Sequence, residues 1–285
     1  MQPRDDYELA FADGAVMSLG LRTRVMGVLN VTPDSFSGQS RYPDLPTALD
    51  AAKRMLDEGA DVIDVGGEST RPGAAPVEEA EEINRVVPVV EGIKNALDVR
   101  VSVDTRKSAV AQRAIECGAD LINDISALRD RRMLPLLRET KTPVILMHMR
   151  GEPRTMQRET RYGDIAQEVA GFLQDCSDTA AADGLAGDKI LVDPGIGFGK
   201  SVAGNMTLLD ELPALRKIGR PILIGASRKS FIGNVLDLPV DDRLEGSLAV
   251  AAFAAAQGAH MVRAHDVRAT LRVVRMIDAI RSTQR

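Results

Sequence analysis

Eight short apolar runs rich in β-branched residues, with helical periods between them, constrain this chain more than any other feature. The runs are Val25 to Asn30, Val62 to Gly67, Val99 to Asp104, Leu121 to Ile125, Val144 to His148, Ile190 to Pro194, Ile222 to Ser227 and Met261 to Asp266. Each has the length and composition of a buried strand. Between the early runs lie two stripes at helical spacing: Ala48, Leu49, Ala52, Met55 and Leu56, then Ile83, Val86, Val87, Val90, Ile93 and Leu97. Pro88 is expected to kink or split the second helix, because proline lacks the N–H that the helix needs. Strands alternating with helices imply parallel pairing. Three helix-to-strand junctions repeat one pattern, with Gly59, Gly118 and Gly258 just past the helix, where a left-handed cap is wanted. Eight such units predict an α/β chain folded as one (β/α)₈ TIM barrel across residues 1–285, with an open doubly wound sheet as the alternative. Before the first unit, residues 8 to 23 alternate apolar and polar around Asp13-Gly14, which predicts a short N-terminal β-hairpin, so that 1–23 caps one end.

The 285 residues carry a net charge of −5, which argues against a broad nucleic-acid or anionic-membrane surface while allowing a local cationic pocket. The longest apolar run, Leu248 to Ala256, is too short to span a bilayer, and the N-terminus lacks the apolar centre of a signal peptide. Cys117 and Cys176 have no metal spacing, so reduced thiols in a cytoplasmic protein are expected.

In a barrel the C-termini of all eight strands meet on one face, where such enzymes place their chemistry. Those termini read Asn30, Glu68 to Arg71, Asp104, Asn123, His148, Asp193, Ser227 to Lys229, and Arg263 with His265. Barrel interiors are normally aliphatic, so a set this polar needs mutual hydrogen bonds or a ligand. Asp104, Asn123 and Asp193 suit a flat heterocycle that presents both donors and acceptors. Arg71, Lys229, Arg263 and His265 are cationic or nearly so and suit a phosphate-like anion or a carboxylate. Two motifs mislead. DPGIGFGKS from Asp193 resembles a phosphate loop but has Pro194 where glycine is required, and GASRK from Gly225 resembles a nucleophile elbow but has Lys229 at the second glycine position. Three histidines without ligand spacing give no zinc site. His148 is expected to be a core residue bonded to backbone, and His260 to be structural.

MGVLNVTPDSFS (Met26 to Ser37), DVGGESTRPG (Asp64 to Gly73), SVDT (Ser102 to Thr105), NDIS (Asn123 to Ser126), MHMRG (Met147 to Gly151), DPGIGFGK (Asp193 to Lys200), SRKSFIG (Ser227 to Gly233) and RAHDV (Arg263 to Val267) together resemble the ordered motif series of the bacterial dihydropteroate synthases. The resemblance covers everything from Arg24 onward. It implies a (β/α)₈ barrel, usually a homodimer through its C-terminal-half helices. The implied reaction joins 6-hydroxymethyl-7,8-dihydropterin pyrophosphate to p-aminobenzoate, giving dihydropteroate and pyrophosphate for folate synthesis. By resemblance Asp104, Asn123, Asp193 and Lys229 hold the pterin. Asn30, Thr70, Arg263 and His265 take the pyrophosphate, with Asn30 also a ligand of Mg²⁺. Thr70, Arg71, Pro72, Phe198, Lys229 and Ser230 shape the p-aminobenzoate site, and Asn30, Asp104, Lys229, Arg263 and His265 form the catalytic set. Sulfonamides are expected to compete with p-aminobenzoate, because Phe36 and Pro72 match the family residues.

Two loops, Val31 to Pro43 and Gly67 to Val77, are expected to act as lids over these small-molecule substrates. After DSFS the family continues Asp-Gly-Gly, whereas this chain has Gly38-Gln39-Ser40. A carboxylate of the first lid is therefore missing unless Asp34 or Asp44 replaces it. The alternatives are a methyltetrahydrofolate-binding methyltransferase domain, against which the cations speak, and a non-catalytic pterin-binding paralogue.

Overall fold

The computed structural model describes residues 1–32, 44–71 and 73–283. An antiparallel hairpin of β1 (Tyr7–Ala10) and β2 (Val16–Leu19) comes first. The eight predicted runs follow as β3 (Arg24–Asn30), β4 (Val62–Gly66), β5 (Arg100–Asp104), β6 (Leu121–Asp124), β7 (Val144–Met147), β8 (Ile190–Asp193), β9 (Leu223–Gly225) and β10 (Met261–Ala264). They form one sheet in the order β8-β7-β6-β5-β4-β3-β10-β9, and a parallel bridge from Val192 to Ile222 joins its two outer strands and closes the barrel. The closed barrel rules out the open-sheet alternative.

Packed around it are α1 (Leu45–Asp57), α2 (Glu79–Ala96), α3 (Ser108–Glu116), α4 (Met133–Thr140), α5 (Ile165–Ala182), α6 (Val202–Asp210), α7 (Ser230–Leu236), α8 (Leu244–Ala256) and α9 (Val267–Ser282). Asp44 caps α1 by accepting the Thr47 N–H at 2.8 Å, so its carboxylate serves the helix end rather than the first loop. Pro88 does not split α2, which runs unbroken from Glu79 to Ala96. It lies on the exposed face, where water can take the carbonyl left without a donor, while Val86, Val89, Val90 and Ile93 hold the helix to the core from the other side. Gly59, Gly118 and Gly258 take the predicted left-handed conformation, with φ of +95°, +100° and +104°.

Alternation along the strands then fixes what faces where. One parity, including Leu29, Ile63, Val65, Val101, Val103, Ile122, Leu146, Val192 and Ile224, packs outward against the helices. The other parity points inward. Its lowest layer, Met26, Val62, Leu121, Ile145, Leu191, Leu223 and Met261, packs with Leu9, Phe11 and Leu19 of the hairpin and seals the N-terminal end. The barrel is therefore plugged below, and any ligand must enter from the strand C-termini.

His260 supports this end. Its Nδ1 accepts the Ile222 N–H at 3.0 Å, so Nε2–H donates to the Asp5 carbonyl, also at 3.0 Å, as the structural reading anticipated. Burial, opposed by the Asp5 hydrogen bond and aided by the charge of Arg4, pushes its pKa down to about 4. The folded protein thus prefers the neutral ring, and this stabilisation is present above the unfolded pKa of roughly 6.5 and lost as pH falls toward the folded value. Measured by thermal unfolding, His260→Gln should melt below wild type at neutral pH, and the gap should narrow as pH falls from about 7 to about 4. A gap independent of pH would contradict this account.

Candidate active site

Above the apolar plug the inward parity turns polar. A cavity of roughly 540 Å³ opens there, lined by Asn30, Thr70, Arg71, Asp104, Asn123, Asp193, Phe198, Lys229, Ser230, Arg263 and His265. Every predicted site residue except Pro72 therefore meets at one place. Pro72, Phe36, Asp34 and the Gly38-Gln39-Ser40 departure lie outside the described residues, as does most of the first predicted lid.

The floor is an ion network whose members come from distant strands. Arg263 donates from Nε to Asp64 Oδ2 at 2.6 Å and from Nη2 to Asp104 Oδ2 at 2.9 Å. Asn123 Nδ2 adds a bond to Asp64 Oδ2 at 3.2 Å. Arg263 is thus not simply one of the upper cations, because its guanidinium reaches down and is shared by two buried carboxylates. Burial is the main reason that the Asp104 pKa rises to about 7, with the Arg263 charge opposing and Asp64 reinforcing. Asp193 accepts the Gly195 N–H at 2.7 Å, and burial, opposed first by Lys229, raises its pKa as well. Asp64 Oδ1, Asp104 Oδ1, Asn123 Oδ1 and Ser102 Oγ are buried without a hydrogen-bond partner among the described residues. Three of these four atoms are carbonyl or carboxylate oxygens, which call for N–H donors. Asp64 and Ser102 were missed because they sit inside strands. A charged residue between Ile63 and Val65 was the available signal.

The cations lie above. Lys229 Nζ is held by the Ile196 carbonyl and sits 4.3 Å from the centre of the Phe198 ring. Burial, partly offset by Asp193, brings its pKa down to about 8. His265 Nδ1 lies 3.0 Å from Ser227 Oγ, and burial followed by the charges of Arg263 and Arg228 pushes its pKa down to about 3. The ring is therefore neutral at pH 7, which corrects its grouping with the cations. Arg228, adopting φ +57°, pairs with both Asp266 oxygens at 3.0 and 2.6 Å and lines the same cavity.

The loop that resembled a phosphate loop has a different use. The Gly195 and Phe198 carbonyls accept from Lys200 Nζ at 2.8 and 2.9 Å, Gly197 from Gln157 at 2.9 Å, and Gly199 from the Tyr162 hydroxyl at 2.9 Å. Lys200 is turned inward and buried, and Nζ also meets His148 Nδ1 at 2.9 Å and the His148 carbonyl at 3.4 Å. The His148 ring therefore has a lysine as a partner. Burial, reinforced by Lys200, lowers its pKa to about 3, so the neutral ring accepts. Burial pushes the Lys200 pKa well below the ordinary lysine value, partly offset by Asp193, so Nζ serves the loop chiefly as a hydrogen-bond donor. Gly195 is obligatory, since a Cβ there would lie 2.0 Å from the His148 carbonyl oxygen. This wrapping presents Phe198 to the cavity.

Among the described residues no cluster of three or more His, Cys, Asp or Glu side chains could hold a metal. At the C-terminal end of β3 the cavity is lined by the neutral amide of Asn30. That donor set fits Mg²⁺ taking most of its ligands from phosphate and water, and it does not fit a metal caged by protein alone.

A model of the pterin-binding enzyme family matches residues 26–265. A dihydropteroate synthase of Synechocystis is 46% identical over 92% of this chain and 91% of its own length. Among solved structures, a Yersinia pestis dihydropteroate synthase in complex with a sulfonamide drug superposes with a TM-score of 0.90 at 47% identity, covering 93% of this chain and 97% of that one. A Xanthomonas albilineans dihydropteroate synthase with 4-aminobenzoic acid gives 0.89 at 40% identity, covering 98% and 99%.

Lys200→Met should keep the side-chain volume and remove the ammonium. Two buried carbonyls lose their donor at about 1–3 kcal/mol each, so a loss of about 2 kcal/mol or more is expected in urea unfolding. An unchanged midpoint would show that the loop holds its shape without Nζ.

Proposed function

This chain belongs to the pterin-binding enzyme family, and we propose the following division of labour for the dihydropteroate synthase reaction that it carries out. Asp104, Asn123, Asp193 and Lys229 hold the pterin of 6-hydroxymethyl-7,8-dihydropterin pyrophosphate. The observation that carries this is the floor of buried oxygens without donors, below a rim of cations. A pterin supplies ring and exocyclic N–H groups to such a floor. Arg263, joined to Asp64 and Asp104 through Nε and Nη2, also lines the cavity. With His265, Asn30 and Thr70 it receives the pyrophosphate.

Asn30 is the one protein ligand proposed for Mg²⁺, which when bound would neutralise charge on the pyrophosphate. As the carbon–oxygen bond breaks, negative charge accumulates on the leaving pyrophosphate, and the preorganised Arg263 guanidinium stabilises it more in the transition state than in the substrate. His265, neutral while the cavity holds no anion, gains a proton more readily once pyrophosphate lies against it. The neutral amine of p-aminobenzoate attacks the exocyclic methylene, forming the carbon–nitrogen bond as the carbon–oxygen bond breaks, and its extra N–H proton then leaves to solvent or to the departing pyrophosphate. Its carboxylate is placed by Arg71 and Ser230, and its ring by Phe198, Lys229 and Thr70. Pro72 belongs to the same proposed subsite. A methyltransferase would need no anion-binding rim, which sets that alternative aside.

We extend the proposal to a homodimer in a reducing, cytoplasmic setting. Exposed Phe253 on α8 and exposed Met276 and Ile280 on α9 give these packed helices an apolar outer surface, and both cysteines are free thiols. No described helix is long and apolar enough to cross a membrane.

Pyrophosphate release from the two substrates with Mg²⁺ tests the reading directly. Asn30→Ala and His265→Ala should each lower kcat by about 100-fold, while calorimetry with a pterin lacking phosphates shows affinity within about twofold of wild type. Asp193→Ala should lose pterin binding itself. Equal losses of turnover and pterin affinity in the first two variants would overturn their assignment. Arg263→Ala is a poorer probe, because it strands two buried carboxylates.

A further inference from the structure

Outside the cavity floor, one partly buried cluster of charge is built on a lysine. Lys107 Nζ donates to Glu68 Oε2, to Glu82 Oε2 and to the Val77 carbonyl. Glu68 also accepts the Val77 N–H at 3.2 Å and Arg106 Nη2 at 3.2 Å. Glu82, in the first turn of α2, is only 1% exposed, so the cluster is tied to the body of the protein rather than to its surface. Burial opposes charge on both main partners. The paired charges nonetheless prevail, holding the Glu68 carboxyl below its ordinary range and the Lys107 ammonium above it.

What the cluster grips is the loop between β4 and α2. Glu68 stands at its start and Val77 at its end, and both are fastened to the same nitrogen. Between them Ser69, Thr70 and Arg71 line the cavity. A second fastening, Arg85 Nη1 to the Gly67 carbonyl at 2.9 Å, fixes the approach to the loop. The ends are therefore pinned at a point fixed by β5 and α2, while Gly73 N–H donates to the Pro153 carbonyl at 3.2 Å from within the loop.

We propose that Lys107 is a positioning residue for the p-aminobenzoate half of the reaction, setting where Thr70 and Arg71 stand by clamping both ends of their loop. It touches no substrate. The inference rests on the subsite assignment above for Thr70 and Arg71, and it predicts a selective effect: misplacing the loop should disturb p-aminobenzoate while leaving the pterin floor in place.

Lys107→Met alone leaves Glu82 as an unpaired buried acid and is prone to unfold. The informative protein is therefore Lys107→Met with Glu82→Met, which replaces a buried ion pair by apolar chains of similar size, beside Lys107→Arg as the conservative variant. A displacement of about 1 Å in a positioning group can cost up to about 100-fold, so the double variant should raise KM for p-aminobenzoate by about tenfold or more. Affinity for a phosphate-free pterin should stay within about twofold, and Lys107→Arg should recover most of the loss. Hydrogen exchange over residues 69–76 should quicken in the double variant, a readout that does not depend on turnover. Unchanged KM and unchanged exchange in the folded double variant would overturn the inference, as would a fall in pterin affinity matching the rise in KM. Failure of the wild-type protein to release pyrophosphate would count against the proposed function instead, and the exchange measurement would still decide whether Lys107 clamps the loop.

Discussion

A strand that closes into a barrel must send every second side chain into a space of fixed width, and in this protein that space changes character along its axis. Met26, Val62, Leu121, Ile145, Leu191, Leu223 and Met261 fill the lower end with hydrocarbon and meet the hairpin. One step of the same parity further up, Asp64, Asn123, Asp193 and Arg263 follow on their strands, each two residues beyond an apolar one. The polar layer inherits its rigidity from the layer beneath. Strand hydrogen bonds and packed aliphatic chains hold the backbone, so buried charges are placed without freedom to collapse onto one another.

That placement has an electrostatic consequence. Two carboxylates, Asp64 and Asp104, share one guanidinium at 2.6 and 2.9 Å, in surroundings that penalise unpaired charge. The arrangement satisfies one oxygen of each acid and leaves the other oxygen buried without a donor. Such atoms are costly in an apolar core, where they would destabilise the fold, and they are useful in a binding floor, where a ligand with matching N–H groups supplies what the protein withholds. Stability and recognition are here in opposition within a few ångströms, and the sealed lower barrel makes the opposition tolerable.

Much of this architecture was legible along the chain. The eight strands, the hairpin around Asp13-Gly14 and the glycine caps at 59, 118 and 258 all follow from local rules, because β-branched runs, turn residues and left-handed caps act within a few residues. Elsewhere a tertiary contact intervened. Pro88 sits on the wet side of a helix whose other side is anchored. The His148 ring finds Lys200, 52 residues away. Lys200 itself sits in a motif whose spacing suggests phosphate, yet it turns into the protein to hold carbonyl groups. His265 looks like a cation in a motif with Arg263, but burial beside that arginine makes it neutral.

The sequence alone therefore determined the eight strands and their alternation with helices, their parallel pairing and the set of side chains at the strand ends, since these depend on periodicity and on the chemistry of neighbours in the chain. It could not say which partner each charged group would take. Arg263 meets Asp64 across 199 residues and Asp104 across 159, and Glu68, Glu82 and Lys107 converge from a loop and two helix ends. Partnerships of this kind are decided by barrel closure, which brings distant residues within reach while excluding the water that would otherwise make their choice of partner energetically indifferent.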